Sequence, residues 1–375
     1  MVRSYETNRF RYILEMKKNK IRPMKLMKNI KKILIIGMML SFTTSVQAGN
    51  EQRTGQAGAT QLLINPFARS SGLAGSNIAS VNGVEASFHN VAGLAFTKGT
   101  ELIFSRTMYL MYGNSESVSN INSFGFAQKM GESSVLSLSF MSMGFGDLEI
   151  TTEDNPDGGI GTFSPTLSNI SLSYAKEFSN SIYGGVTVRM ISEKLYNVNS
   201  GGTSFDAGIQ YVTGTKKHVK FGVSLKNVGP RMIFGGDGLS FRGDAPQGDY
   251  FLTVSQRSES FELPSLLNIG LAYDLPFTPK DFRVSTTGAF TSNSFQKDQF
   301  RFGLEVSFKE LIMLRGGYLY QDGINDNNIE AVMSGPSAGV SVELPMGNST
   351  FGLDYSYRNS NIFQGTHSFG VRITL

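Results

Sequence analysis

The sequence predicts an all-β protein: a transmembrane antiparallel β-barrel of about 14 strands with an N-terminal plug segment. Three observations carry that expectation. From Glu101 onward, short segments alternate apolar and polar residues with a period of two. The connections between them alternate short and long, as periplasmic turns and outer loops do. The final run, His367-Ser368-Phe369-Gly370-Val371-Arg372-Ile373-Thr374-Leu375, alternates to the last residue, and a closed barrel pairs such a strand with its first, leaving no open edge.

The chain has 375 residues. It opens with a basic stretch, Lys25-Leu26-Met27-Lys28-Asn29-Ile30-Lys31-Lys32, an apolar run over 33–42, and the small-x-small site Val46-Gln47-Ala48. This pattern predicts an exported protein whose residues 1–48 are a signal peptide, with the start codon at Met24 or Met27 if the polar preface is over-long. The run is too short to span about 30 Å of hydrocarbon. Residues 1–48 hold 11 of the 34 Lys and Arg and two of the 30 Asp and Glu, which leaves 23 basic against 28 acidic residues. The formal charge of +4 thus belongs to the leader, and no clustered basic footprint is left to bind nucleic acid. The absence of Cys excludes disulfides, thiolate metal sites and a lipidated N-terminal cysteine. With no Trp, an interfacial aromatic belt falls to the 14 Tyr and 28 Phe.

Residues 49–99 differ from the strand-rich remainder of the chain. They are rich in Gly, Ala, Asn and Ser, with short apolar patches at Leu62-Leu63-Ile64 and Leu94-Ala95-Phe96. A disordered leader or a plug fits that composition, and the plug is favoured because about 14 strands enclose a bore that something must fill. The barrel itself is assigned to 100–375. Its strands are placed at 101–112, 118–129, 133–145, 167–178, 182–195, 203–213, 218–228, 265–275, 282–292, 298–308, 311–321, 336–344, 350–358 and 366–375. The tenth shows the pattern: Phe300, Phe302, Leu304, Val306 and Phe308 alternate with Arg301, Gly303, Glu305 and Ser307. The alternation is blurred around Arg106 and over 141–143. Periodicity alone fits a two-sheet sandwich as well. Connection length separates the two: long gaps at 146–166, 229–264 and 322–335 fall on one side, turns such as Lys309-Glu310 on the other.

Candidate chemistry is sparse. Only His89, His218 and His367 supply imidazoles, and no two share a strand face, so neither a catalytic base-nucleophile pair nor an enzyme is expected. No cofactor and no metal is expected. The segments 154–159 and 322–326 are rich in oxygen ligands but lack calcium-loop spacing, and turn chemistry explains them. Arg242-Gly243-Asp244 reads as a chance tripeptide in a Gly-rich loop. The lumen face carries Arg189, Asp206, Lys220, Lys226, Asp274, Arg283, Arg301, Glu305, Arg315, Glu343, Asp354, Arg358 and Arg372. Charges of both signs there point to a salt-bridged filling, and a long acyl chain wants an apolar wall instead.

Two stretches of the plug are familiar as a pair. Ala68-Arg69-Ser70-Ser71-Gly72-Leu73-Ala74-Gly75 and Ala86-Ser87-Phe88-His89-Asn90-Val91-Ala92-Gly93-Leu94-Ala95 together resemble the opening of the PorV/PorQ family, relatives of the FadL-type barrels. Arg69, Gly72, Gly75, Asn90, Ala92, Gly93 and Leu94 match the plug motif, and Val91 stands where the family has Pro. The resemblance continues through Leu263-Pro264-Ser265, Ile269-Gly270-Leu271-Ala272-Tyr273, Leu314-Arg315-Gly316-Gly317-Tyr318 and the final hairpin. It implies an outer-membrane barrel of a Bacteroidota-type cell that takes part in type IX secretion. Its implied partners are outer-membrane lipid, the translocon barrel, the C-terminal domains of secreted cargo and the barrel-assembly machinery, with no nucleic acid. Such a protein binds cargo and passes it to the surface attachment complex. The alternative is a FadL-like channel for hydrophobic small molecules; a structural paralogue without secretion activity is a third reading. In the last strand, Phe369, Val371, Ile373 and Leu375 are expected to face lipid and to close the barrel.

Overall fold

The structure is a computed structural model that describes residues 49–113, 116–214, 216–244, 248, 250–276, 278–324 and 332–375. The expected signal peptide lies outside the described residues. Fourteen strands form the wall: β1 Thr100–Tyr112, β2 Glu116–Met130, β3 Ser134–Gly144, β4 Thr166–Ser179, β5 Ile182–Leu195, β6 Val198–Thr213 and β7 Val219–Val228. They continue as β8 Leu266–Asp274, β9 Phe282–Asn293, β10 Gln299–Phe308, β11 Ile312–Gln321, β12 Met333–Met346, β13 Ser349–Ser360 and β14 Thr366–Thr374. Each strand pairs antiparallel with the next, and β14 pairs back onto β1 from Glu101↔Thr374 to Met108↔His367. The sheet is therefore a closed barrel.

The alternation works as lipid demands. Phe104, Leu172 and Leu314 point outward at 50, 53 and 58% exposure, while Ser105, Ser171 and Met313 beside them point inward and are buried. No helix among the described residues is long and apolar enough to cross a membrane; the strands do it. Short turns lie at the end that carries both barrel termini, including Asn180-Ser181 between β4 and β5 and Gly347-Asn348 between β12 and β13. The opposite, outer end carries the long connections.

Strand placement departs from expectation at the outer rim. β6 begins at Val198 rather than 203, after a two-residue turn at Tyr196-Asn197, and Gly201 and Gly202 pair with Ser192 and Ile191. Above the lipid neither face need be apolar, so backbone pairing continues where the periodic signal has ended. The 229–265 connection likewise holds a hairpin, Ser240–Asp244 with Phe251–Ser255, on which Arg242-Gly243-Asp244 lies.

Residues 49–99 fill the barrel. They form a short helix α1, Ala68–Gly72, and 3-10 turns at Thr60–Leu63, Val84–Phe88 and Val91–Phe96. Wall side chains hold this segment from all sides. Ser105 of β1 donates to the Pro66 carbonyl at 2.7 Å, Gln210 of β6 to Val81 at 3.1 Å and Ser224 of β7 to His89 at 3.1 Å. On the far side, Ser76 and Thr287 of β9 pair at 2.6 Å and Ser337 of β12 donates to Gly72 at 3.1 Å.

One sector of this contact is dry. Plug residues Phe67, Val84, Val91 and Leu94 share a core with Ile103, Ile121, Val135 and Met141 of β1 to β3. The pattern blurred there because both wall faces are apolar, one against lipid and one against the plug. Arg106 adds to the blur by facing outward.

Candidate functional site

Two cavities flank the plug along the barrel axis. The outer one, about 760 Å³, opens among the long loops, and its walls combine apolar Leu63, Ile64, Met143, Phe145, Leu167 and Leu319 with amide and hydroxyl side chains. Three cations line it, Lys297, Arg301 and Arg358, and no carboxylate among the described residues does. The inner one, about 490 Å³, lies at the short-turn end and is lined by six cations and five carboxylates. No described residue lines both.

Strand register explains the difference in charge. In the inner chamber Glu305 of β10 stands directly opposite Arg315 of β11, and Arg315 Nε donates to it at 2.6 Å while Arg283 Nη2 lies 2.9 Å from its other oxygen. Lys220 pairs with Asp274 at 3.1 Å and Arg372 with Glu343 at 2.6 Å. Ser341 links Arg315 to Asp354 by short hydrogen bonds. Salt bridges thus cross between neighbouring or near-neighbouring strands.

In the outer chamber the same geometry brings cations opposite groups that cannot neutralise them. Arg301 faces Ala289 on one side and Leu319 on the other; Arg358 faces Ser337 and Thr366. Arg301 Nη2 donates to Gln299 at 2.6 Å, and its Nε is buried without a hydrogen-bond partner among the described residues. Its guanidinium lies over plug residue Gly75, where an added Cβ would come within 3.0 Å of Nη1. Arg358 meets no carboxylate among the described residues. Nearby, His89 Nε2 lies 3.0 Å from the Gly75 carbonyl oxygen. Burial first, then the charges of Lys226 and Arg301, push the His89 imidazole well below its usual pKa, so it is neutral.

Between the chambers, a buried polar cluster grips the plug where β6 and β7 slip register at Asp206. Arg189 of β5 lies 3.0 Å from Asp206, donates to Asn227 at 3.2 Å and reaches the Ser87 carbonyl at 3.2 Å. Asp206 accepts from the Asn227 backbone at 2.7 Å, and Lys226 donates to the Phe88 carbonyl at 2.6 Å. Buried charges persist only when so paired and bonded.

The plug-motif residues are structural contacts spread through this assembly. Arg69 donates to Glu85 at 2.8 Å, and Glu85 also accepts from the Ser70 backbone at 2.7 Å, so the helix is tied to the turn 15 residues on. Gly72 lets α1 approach β12 until a Cβ would sit 3.0 Å from Gly339 Cα. Gly75 turns the chain at φ +73°. Asn90 caps the Val91–Phe96 turn by accepting from Ala92 N at 3.2 Å, and its amide donates to Ile78 at 2.9 Å and Ile209 at 3.2 Å. Ala92 packs with Tyr183 and Val212, Gly93 has no room for a Cβ beside the Val81 carbonyl, and Leu94 is fully buried. At the seam, Phe369 and Ile373 face outward, Val371 is half-buried between them, and Leu375, one residue past β14, exchanges backbone hydrogen bonds with Thr100.

The three histidines lie apart: His89 in the plug, His218 edge-on to Tyr273 near the inner rim, and His367 on β14 at 2.9 Å from the Tyr355 hydroxyl. Among the described residues no three His, Asp or Glu side chains gather as a metal site. Residues 154–159 lie in the outer β3–β4 connection, and the 322–326 segment lies partly outside the described residues. The lumen charges were visible in sequence, but their division into a paired set and an unpaired set was not. Counting register across the Lys309-Glu310 turn is the signal that separates Arg315 from Arg301.

No family model matches the chain, and no curated protein matches it. Solved structures do. A CymD monoaromatic hydrocarbon channel aligns at 13% identity over 83% of this chain and 96% of its own, with a TM-score of 0.51. The Pseudomonas putida toluene transporter TodX aligns at 12% identity over 83% and 97%, also at 0.51. A Pseudomonas aeruginosa FadL homologue aligns at 10% identity over 82% and 97%, at 0.48. The CymD and TodX likenesses are of fold: the chain is a closed fourteen-stranded β-barrel of the architecture those channels share. They give no support to the PorV/PorQ family in particular.

Proposed function

We propose that this barrel takes small molecules with an apolar body into its outer chamber and passes them inward, as a FadL-type channel. The observation that carries the reading is the chamber itself. Its volume of about 760 Å³ falls in the roughly 300–1,000 Å³ range of small-molecule sites, and its apolar rim with a few convergent polar groups is the usual lining of one. The hydrocarbon channels of similar fold lend support. Passage requires the plug to shift, because it separates the two chambers. Purified barrel in detergent, titrated with butylbenzene-type probes by native mass spectrometry, is expected to retain one probe per barrel. Failure of every apolar probe to bind would overturn the reading.

A second reading, cargo binding in type IX secretion, is favoured by the plug-motif resemblance and by the polar grip of Arg189 and Lys226 on the plug, which suits a docking barrel more than a conduit. Affinity purification of the tagged barrel from its native membrane tests it. Recovery of translocon components or cargo C-terminal domains supports this reading; bound small amphiphile without them removes it.

A further inference from the structure

We infer that the lipid-facing wall over β14, β1 and β2 seats one phosphate-bearing lipid, its phosphate on Arg106 beside Asn122 and His367 and its acyl chains against Phe104, Phe124 and Phe369. The inference rests on the barrel lying in a bilayer and on neither reading of its lumen.

Cross-strand register shows where apolar contact ends on this side of the barrel. Phe104, Phe124, Phe140, Ile170 and Met190 stand in one row across β1 to β5, and all five are exposed. Two residues further toward the long loops, the row reads Arg106, Asn122, Ser142, Ser168 and Ser192. Arg106 and Asn122 are exposed between buried neighbours, Ser105 and Thr107 on β1 and Ile121 and Ser123 on β2. Five polar side chains directly after five apolar ones mark the edge of the hydrocarbon here, and lipid headgroups lie beyond such an edge.

Charge and neighbours set Arg106 apart within that row. It forms no ion pair with a described residue, and its cross-strand partners are Asn122 and Phe369. A long cationic side chain lays its stem on apolar neighbours and carries its head to the interface, where the oxygens of a phosphate match the guanidinium fork. Asn122 supplies an amide donor beside it. One step outward on β14, His367 stands opposite Met108, and its Nδ1 lies 2.9 Å from the Tyr355 hydroxyl. With that hydroxyl donating, Nε2 carries the ring proton and is a further donor. The rings of Tyr355 and Phe369, 5.1 Å apart, continue the apolar floor below. Lys194 of β5 is exposed as well, but its partners are Thr166 and Asn199, which offer no such floor. A lipid phosphate answers this arrangement better than a second copy of the chain, because a two-fold contact centred here would bring Arg106 against Arg106.

The experiment is native mass spectrometry of the whole barrel in detergent, titrated with dimyristoyl phosphatidic acid and with neutral dimyristoylglycerol. We expect one phosphatidic acid to be retained at least about tenfold more tightly than the diacylglycerol, the scale of a charge-assisted contact. Arg106→Gln should remove most of that preference, and Lys194→Gln should leave it within about twofold. Equal retention of the two lipids by the wild-type barrel overturns the seat. So does a loss in Lys194→Gln as large as that in Arg106→Gln, which would make the preference one of general surface charge. A phosphatidic acid with a diazirine in its acyl chain reads the position without any variant: crosslinks are expected on peptides of β14, β1 and β2, and crosslinks confined to β6 to β11 overturn the seat. Barrel dimers that Arg106→Gln dissolves put a second copy on this wall and overturn the lipid as its occupant.

Discussion

The inner and outer chambers are built from the same fourteen strands and alternate the same way, yet one is electrostatically closed and the other is not. Among the described residues, six cations line the chamber below the plug together with five carboxylates, whereas above it Arg301 and Arg358 meet no carboxylate. Closed charge stiffens a wall, since each arginine is fixed by a partner on a neighbouring strand. Open charge has a stability cost, because a desolvated guanidinium without an anion is unfavourable. The comparison teaches that lumen charges of one barrel differ in kind: cross-strand register decides which are paired and which are not.

The largest effect tests the wall that both chambers share. Deleting residues 367–375 removes every β14 partner of β1, and we expect no folded barrel by heat-modifiable gel mobility, whereas Leu375→Phe should fold normally. Next comes the grip between the chambers. Asp206→Ala leaves Arg189 buried without its carboxylate and should cost about 3–5 kcal/mol in urea unfolding from lipid vesicles. A cost below about 1 kcal/mol would mean water reaches the plug-wall seam.

The contrast itself is broken most simply by a pair of matched substitutions. Arg315→Met, in the inner chamber, should destabilise by about 1.5–3 kcal/mol because charge-assisted bonds to Glu305 and Ser341 are lost. Arg358→Met, in the outer chamber, should leave stability unchanged or raise it by about 1 kcal/mol, since it removes a desolvated charge without a carboxylate partner. Equal losses would erase the distinction.

The smallest effect lies at the outer rim, where Glu262 of the 229–265 loop bonds Arg53 of the plug at 2.9 Å and Arg231 at 2.6 Å. Hydrogen bonds from Arg53 and Arg231 hold its carboxyl below the usual range. A depressed carboxyl contributes above its unfolded value, about 4.3, and loses its contribution as pH falls through the folded value. The group is exposed and salt-screened, so Glu262→Gln should speed proteolysis of the loop modestly at pH 7 and low salt, with no difference from wild type in high salt or in strong acid.

Most of the wall was legible because lipid and lumen impose opposite demands on alternate residues. β5 runs over the predicted 182–195, and β9 to β11 begin and end within one residue of their predicted bounds. Legibility failed where those demands relax. Met141 and Met143 face inward yet pack on the plug rather than on water, so their strand lost its contrast. Gly201 and Gly202 extend β6 above the membrane, where no periodicity is required. The candidate site was half legible: Arg301 and Arg358 were visible as lumen residues, but only cross-strand register reveals that Arg301 stands beside Leu319 while Arg315 stands beside Glu305.

The most direct measurement is a crystal structure of the barrel soaked with 1-bromo-4-butylbenzene, read by the anomalous signal of bromine. Bromine density inside the outer chamber, with the ring against Met143 and Phe145, is the result predicted. Bromine in the ion-paired inner chamber, or none in the outer chamber at saturating probe, contradicts it.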